Sequence, residues 1–255
     1  MLSDLSLASI RKMTAALKKP VRLIVFTTDM GCESCPDMLA LSNAIKKHFD
    51  KIALETYDMV MDRDKVQQYG VKLTPTIIVQ GGDGKWAAFV GYLEDSSLEV
   101  LLSAIKALSD GNAWFPENII RALNHLTHDV KIRVFVESDC TQCRPVAETA
   151  VGLALTSSFV SAEIVMASEY PDLVKKFSIK TLPTTIFGEN IQMVGHVTEG
   201  QFLETIFQTE GIKAGPDKRC LICGNLSPDV ICASCKTKVE AEAKDHKVKS
   251  EKMNR

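Results

Sequence analysis

The stretch V-R-L-I-V-F-T-T-D-M-G-C-E-S-C-P, residues 21–36, has a counterpart in K-I-R-V-F-V-E-S-D-C-T-Q-C-R-P, residues 131–145. In each, a nearly continuous apolar run leads into C-x-x-C. A run apolar at almost every position is the mark of a strand covered on both faces. After the cysteines the period changes. Met38, Leu41, Ile45 and Phe49 fall on one helical face, and Val146, Ala150 and Val151 do the same in the second stretch. Two prolines extend the correspondence. Pro75 and Pro183 each lie 43 residues after the first cysteine of their pair, so both anchors repeat at 108 residues. The flanks align too, Y-G-V-K at 69–72 with F-S-I-K at 177–180. A repeat this long means two domains of like fold, since solenoid periods run about 20–50 residues.

Each half reads as the same series. A helix comes first, with Leu7, Ile10, Met13 and Leu17 on one face and Pro20 as its stop. Ile119, Ile120, Leu123 and Leu126 follow Pro116 in the second half. Then come the buried strand, the C-x-x-C helix, a strand near 53–57 or 162–166, and a short helix. A strand after the proline (77–79; 185–187) and a hairpin strand (86–90; 191–194) complete the sheet. An amphipathic helix closes each half, carried by Leu98, Leu101, Leu102, Ile105 and Leu108, or by Phe202, Leu203 and Ile206. The expected fold class is α/β, a mixed central sheet flanked by helices in each of two tandem units. Breaks at Ser109-Asp110-Gly111-Asn112 and at Gly215-Pro216 divide the chain into units 1–112 and 113–212, a cysteine knuckle at 217–238 and a charged tail at 239–255. The tail has little to bury and reads as a frayed helix or a disordered segment.

The bulk properties exclude several classes. A net charge of −2 and a pI near 6.2 over 255 residues give no global attraction to nucleic acid or an anionic membrane. No apolar run approaches the roughly 20 residues of a spanning helix. The N-terminal M-L-S-D-L-S-L-A-S-I-R-K-M places its acid early and its bases late, the reverse of a secretory signal. The expected location is the cytoplasm. All 8 cysteines fall in C-x-x-C pairs, at 32/35, 140/143, 220/223 and 232/235. In a long chain with its own core, such pairs point to reactive thiols or metal ligands rather than a disulfide framework.

A C-x-x-C between a buried strand and a helix has a specific chemical use. Unpaired N–H groups at the helix start favour a thiolate on the first cysteine, and the second lies close enough to resolve a mixed disulfide. Cys32 and Cys140 are the candidate nucleophiles, Cys35 and Cys143 the resolving thiols. Pro36 suits a first helical turn, whereas Pro145 is expected to strain its helix. Thr74-Pro75 and Leu182-Pro183 open strands beside these sites. A cis bond there would expose the backbone of Thr74 and Leu182 to a substrate strand. Glu33 opposes a thiolate at the first site and Arg144 favours one at the second, where Asp139 works against it; the balance favours the second as the faster nucleophile. The competing readings of these pairs are a zinc half-site or an inert buried pair.

Strand, C-x-x-C, helix, a proline opening a strand, and Val90-Gly91 or Val194-Gly195 before the last helix resemble thioredoxin. Two such units in one chain resemble the tandem, glutaredoxin-like protein disulfide oxidoreductases of archaea and some bacteria, over about residues 1–210. The resemblance implies dithiol–disulfide exchange on protein disulfides, no tightly bound organic cofactor, and electrons from a separate NADPH- or NADH-dependent flavoprotein reductase. The chain departs from the pattern in its dipeptides, Glu33-Ser34 and Thr141-Gln142, where the second site of the family usually has Pro-Tyr. It also lacks thioredoxin's buried aspartate, with Phe26 and Val134 in that vicinity.

Cys220, Cys223, Cys232 and Cys235 have the spacing of a tetrahedral zinc site, with iron or two further redox pairs as the alternatives. The segment is too short for a core of its own, so a structural zinc would fold it. The knuckle is also similar to one that closes some tRNA 2-thiolation enzymes. That similarity supports a second functional class, a redox or sulfur-relay adaptor that reduces one dedicated partner docked through the knuckle.

Overall fold

The computed structural model describes residues 4–13, 17–111, 114–209, 211 and 219–253. Asn112 and Gly215-Pro216, part of the two expected breaks, fall outside them. The first half runs α1 (Asp4–Lys12), β1 (Val21–Thr27), α2 (Cys35–His48), β2 (Ile52–Asp58), α3 (Arg63–Tyr69), β3 (Thr76–Gln80), β4 (Trp86–Val90) and α4 (Asp95–Asp110). The second runs α5 (Glu117–Leu123), β5 (Val130–Val136), α6 (Cys143–Thr156), β6 (Val160–Met166), a 3-10 turn (Ala167–Glu169), α7 (Pro171–Lys176), β7 (Thr184–Phe187), β8 (Ile191–Val194) and α8 (Glu199–Thr209). The last element is α9 (Ala233–Met253).

The first helix is shorter than its apolar spacing predicts. α1 closes at Lys12, and Leu17 is buried beyond it. Pro145 sits inside α6, which runs from Cys143 to Thr156. Pro145 lies in the first turn, where N–H groups have no intrahelical partner in any case. In the tail, helix takes the place of disorder as far as Met253. Alternating Glu, Ala and Lys are strong helix formers, and Lys238 reaches Glu242 one turn on.

Among the described residues, eight strands join one sheet in the order β2-β1-β3-β4-β6-β5-β7-β8. The halves have the same internal order and meet through β4 and β6, which run parallel with Ala88, Phe89 and Val90 opposite Glu163, Ile164 and Val165. Phe89 and Ile164 are fully buried at this join, each worth about 1.5–3 kcal/mol of apolar burial. On one face a single apolar cluster runs across both halves, from Leu23, Met38 and Leu101 to Val134, Val146 and Phe202. The other face carries two smaller clusters, Ile24, Phe26 and Tyr69 under α3, and Val90, Phe135 and Val165 near α7.

β3 is antiparallel to β1 and to β4, while β4, β6 and β5 are mutually parallel. β1 and β5 therefore point the same way. Their carboxyl ends, each leading to a C-x-x-C, open on the same edge of the sheet. Four strand spacings separate them, about 19 Å along the sheet.

The join is tight at Gly91, which follows β4 with φ of 96° and donates its N–H to the Pro75 carbonyl at 2.9 Å. A Cβ here would stand 2.8 Å from Met166 Cβ and 2.9 Å from a Glu169 carboxylate oxygen. Gly195 is its equivalent in the second half, with φ of 80°, the same bond to Pro183 and open space where a Cβ would go. Gly91→Ala should therefore lower stability by about 1–3 kcal/mol more than Gly195→Ala, which carries only the backbone term. Urea unfolding of the two variants measures the difference, and equal losses would contradict close packing at the join.

Candidate functional site

Cys32 and Cys35 are disulfide-bonded, with Cα atoms 5.4 Å apart, and Cys140 and Cys143 are likewise bonded at 5.3 Å. The two helices begin at the second cysteine of each pair, so the first sits on the turn leading in. Ser34 and Gln142 are the residues just ahead of the helices. Exposure is graded the same way at both sites. Cys32 and Cys140 are half-buried, while Cys35 and Cys143 are only 3% and 1% exposed. That gradient leaves the first cysteine of each pair partly open to solvent and buries the second at the start of its helix.

The buried positions of β1 and β5 are all apolar, Phe26 and Val134 included. No carboxylate lies behind either pair on these strands. The first site instead receives a carboxylate from the second half. Ser34 Oγ donates to Glu169 at 2.5 Å, and the Tyr92 N–H donates to the other Glu169 oxygen at 2.5 Å. At the second site Arg144 is paired with Glu99 of α4 and with Glu148, the latter at 2.9 Å. Its charge is compensated by two carboxylates, so the expected preference for a thiolate at the second site loses its cause.

Thr74-Pro75 and Leu182-Pro183 are both cis and lie immediately before β3 and β7. Tyr170, just ahead of α7, donates its hydroxyl to the Thr74 carbonyl at 3.0 Å. Burial, and then the Glu169 carboxylate, hold the phenol proton well above the ordinary tyrosine range. The Glu169 and Tyr170 contacts were not legible in the sequence, because the spacing within one unit says nothing about which residues of the other abut it. Near the first pair, Met30 and Met61 are 85% and 81% exposed. The Met59 N–H bonds the Thr27 carbonyl at 2.8 Å, which ties the loop of Met61 to the end of β1.

The remaining four thiols form one cluster. Sγ atoms of Cys220, Cys223, Cys232 and Cys235 all lie within 4.8 Å of one another, with Cys223 and Cys232 3.8 Å apart. Tetrahedral zinc with bonds of about 2.3 Å separates its sulfurs by about 3.8 Å. The local backbone suits a bound thiolate. Burial raises the Cys220 thiol, but N–H donors from Cys232, Cys223 and Ile222 outweigh it and bring the group down to about 7. Burial and the neighbouring thiols push Cys235 up. Donor set and spacing thus fit a zinc ion held by four sulfurs, a closed site with no position left for catalysis. The knuckle is not separate from the body. Cys220, Ile231, Cys235 and Val239 share the apolar cluster of Phe202 and Ile206, and Lys236 pairs with Glu204 of α8 at 2.7 Å.

Residues 130–208 match the thioredoxin domain family. A probable thioredoxin of Methanothermobacter thermautotrophicus is 37% identical over 62 residues, 24% of this chain and 72% of that protein, and one of Methanothermobacter marburgensis matches equally. Among solved structures, a protein disulfide oxidoreductase from Aeropyrum pernix has a TM-score of 0.74 at 23% identity, covering 82% of this chain and 94% of that one. The NTD_N/C domain of the alkylhydroperoxide reductase AhpF from Enterococcus faecalis has a TM-score of 0.73 at 21% identity, covering 81% and 100%. At these identities the structures share the fold, while the sequence relatives share descent. With two C-x-x-C pairs at disulfide distance, the chain belongs to the thioredoxin family and is a thiol–disulfide oxidoreductase.

Proposed function

We propose that the chain reduces disulfides of protein substrates through both C-x-x-C sites, working in the cytoplasm as a net reductase. The observation that carries this is the matched exposure gradient, an accessible Cys32 or Cys140 over a shielded Cys35 or Cys143. In this reading the accessible thiolate attacks a substrate disulfide, forming a mixed disulfide and releasing one substrate thiolate. The shielded thiol, deprotonated, attacks the mixed disulfide, releases the second substrate thiol and leaves the enzyme disulfide. Two electrons then return from an external donor, assigned to an NADPH- or NADH-dependent flavoprotein reductase. The backbone of Thr74 and Leu182, positioned by Pro75 and Pro183, faces the substrate chain. Among the described residues no helix is long and apolar enough to cross a membrane. A cytosolic thiol poise favours the reducing direction. Residues 1–112 and 113–212 act as the two thioredoxin-like units, and 217–238 as a structural zinc knuckle followed by the charged tail.

Insulin reduction in the presence of dithiothreitol tests the reading. Replacing Cys32 and Cys140 together by Ser should reduce the rate by about 100-fold or more. Cys35→Ser and Cys143→Ser should each trap a mixed disulfide visible by non-reducing gel. Wild-type protein that is inert on insulin but reduces a single co-purifying partner would favour the dedicated redox or sulfur-relay adaptor.

The knuckle makes a separate prediction. Purified chain should carry about one zinc by elemental analysis, and Cys220→Ser should remove most of it. Because the knuckle shares the core of α8, loss of metal should also lower the thermal midpoint. Full alkylation of all eight thiols in the native, reduced protein without bound metal would count against the zinc site.

A further inference from the structure

The two dithiol sites share the C-x-x-C spacing but have unlike neighbours. Ser168, Glu169 and Tyr170 of the second half bind three separate places. Ser168 donates its N–H to Glu137 at 2.5 Å, at the end of β5 before the second dithiol. Glu169 holds Ser34 and the Tyr92 N–H at the first dithiol. Tyr170 covers the Thr74 carbonyl, its ring packed in the same cluster as Leu73. The close approach at Gly91 fixes this segment against the first half.

The 108-residue repeat places Met61 and Asp62 where Glu169 and Tyr170 stand, and Asp62 and Tyr170 are each the residue just ahead of the short helix. In the first half this segment follows β2, the outermost strand, and folds on itself, with Asp62 accepting from the Asp58 N–H at 2.7 Å. At the other end of the sheet β8 is outermost. Among the described residues, no side chain donates to the Leu182 carbonyl. The join of β4 to β6 thus supplies a cap for one site only.

We infer that Tyr170 is a specificity-determining residue, weakening the strand edge at the first site so that extended polypeptide disulfides react faster at the second. The inference rests on the proposed roles of both dithiols and of the Thr74 and Leu182 backbone. A carbonyl already bonded to the Tyr170 phenol has one lone pair left for a substrate N–H, so it is a weaker edge for an added strand than a carbonyl with both lone pairs open. The high-lying phenol proton keeps Tyr170 a donor throughout the working pH range. A small disulfide needs no strand edge and reaches Cys32 regardless.

The test uses the full chain with one site disabled at a time, Cys140→Ser with Cys143→Ser, or Cys32→Ser with Cys35→Ser. Each reduced protein is mixed with an unstructured peptide bearing one internal disulfide, and separately with dithiobis(nitrobenzoate). The ratio of peptide rate to small-disulfide rate should be about tenfold lower for the first site than for the second. Tyr170→Phe should raise the first-site ratio about fivefold and leave the second-site ratio unchanged. Tyr170→Ala, which removes the ring as well, should raise it at least as far, with circular dichroism confirming the fold. Equal ratios at the two sites, or a first-site ratio insensitive to Tyr170→Phe, would overturn the inference while leaving the oxidoreductase reading intact. Failure of both single-site proteins on both disulfides would overturn the two together.

Discussion

The parallel pairing of β4 with β6 is the contact on which the rest of the molecule depends. Only three residue pairs make it, yet it converts two four-stranded sheets into one and lets a single apolar layer run beneath both. Because the pairing is parallel, it also sets direction. Both C-x-x-C turns lie on one edge of the sheet, as though each strand were aimed at the same solvent face. An antiparallel join would have put them on opposite edges. A sheet edge left bare invites association with another chain, and the join removes one such edge from each half.

Charge plays a smaller part at the dithiols than the motifs imply. Arg144 looks like an activating cation in the sequence, but α4 and α6 pack so that Glu99 and Glu148 meet it. Glu169 reaches the first site from the far side of the join. What the two sites share is packing, an apolar strand behind the pair and a second cysteine buried at the start of its helix. The thiol cluster follows the same rule. It leans on α8 through Ile231 and Val239, so its four sulfurs are assembled partly by the body of the protein and not by metal alone.

Much of this was legible in the sequence, and the reasons are local. Val21–Phe26 and Ile132–Val136 could be read as strands because burial on both faces demands continuous apolar residues. The hairpin strands at 86–90 and 191–194 were bounded by their turns. Repetition of cysteine and proline at one interval revealed the duplication. The α1 boundary was missed because Leu17 is buried without being helical, and apolar spacing does not separate those cases. The tail was read as a frayed helix or a disordered segment, and helix runs to Met253. Glu99, Glu169 and Tyr170 acquire their roles across the join, where no sequence period extends.

Joining the halves side by side has a geometric consequence. The operation that carries one unit onto the next is a step along the sheet, not a rotation that brings each to face the other. A two-fold dimer gives its members the same surroundings, whereas a head-to-tail row has a first and a last place. Duplication of a gene for one unit would therefore have produced two inequivalent environments at once, before any residue in either motif had changed. The sequence differences at Glu33-Ser34 and Thr141-Gln142 would then be a later adjustment to positions that were already distinct.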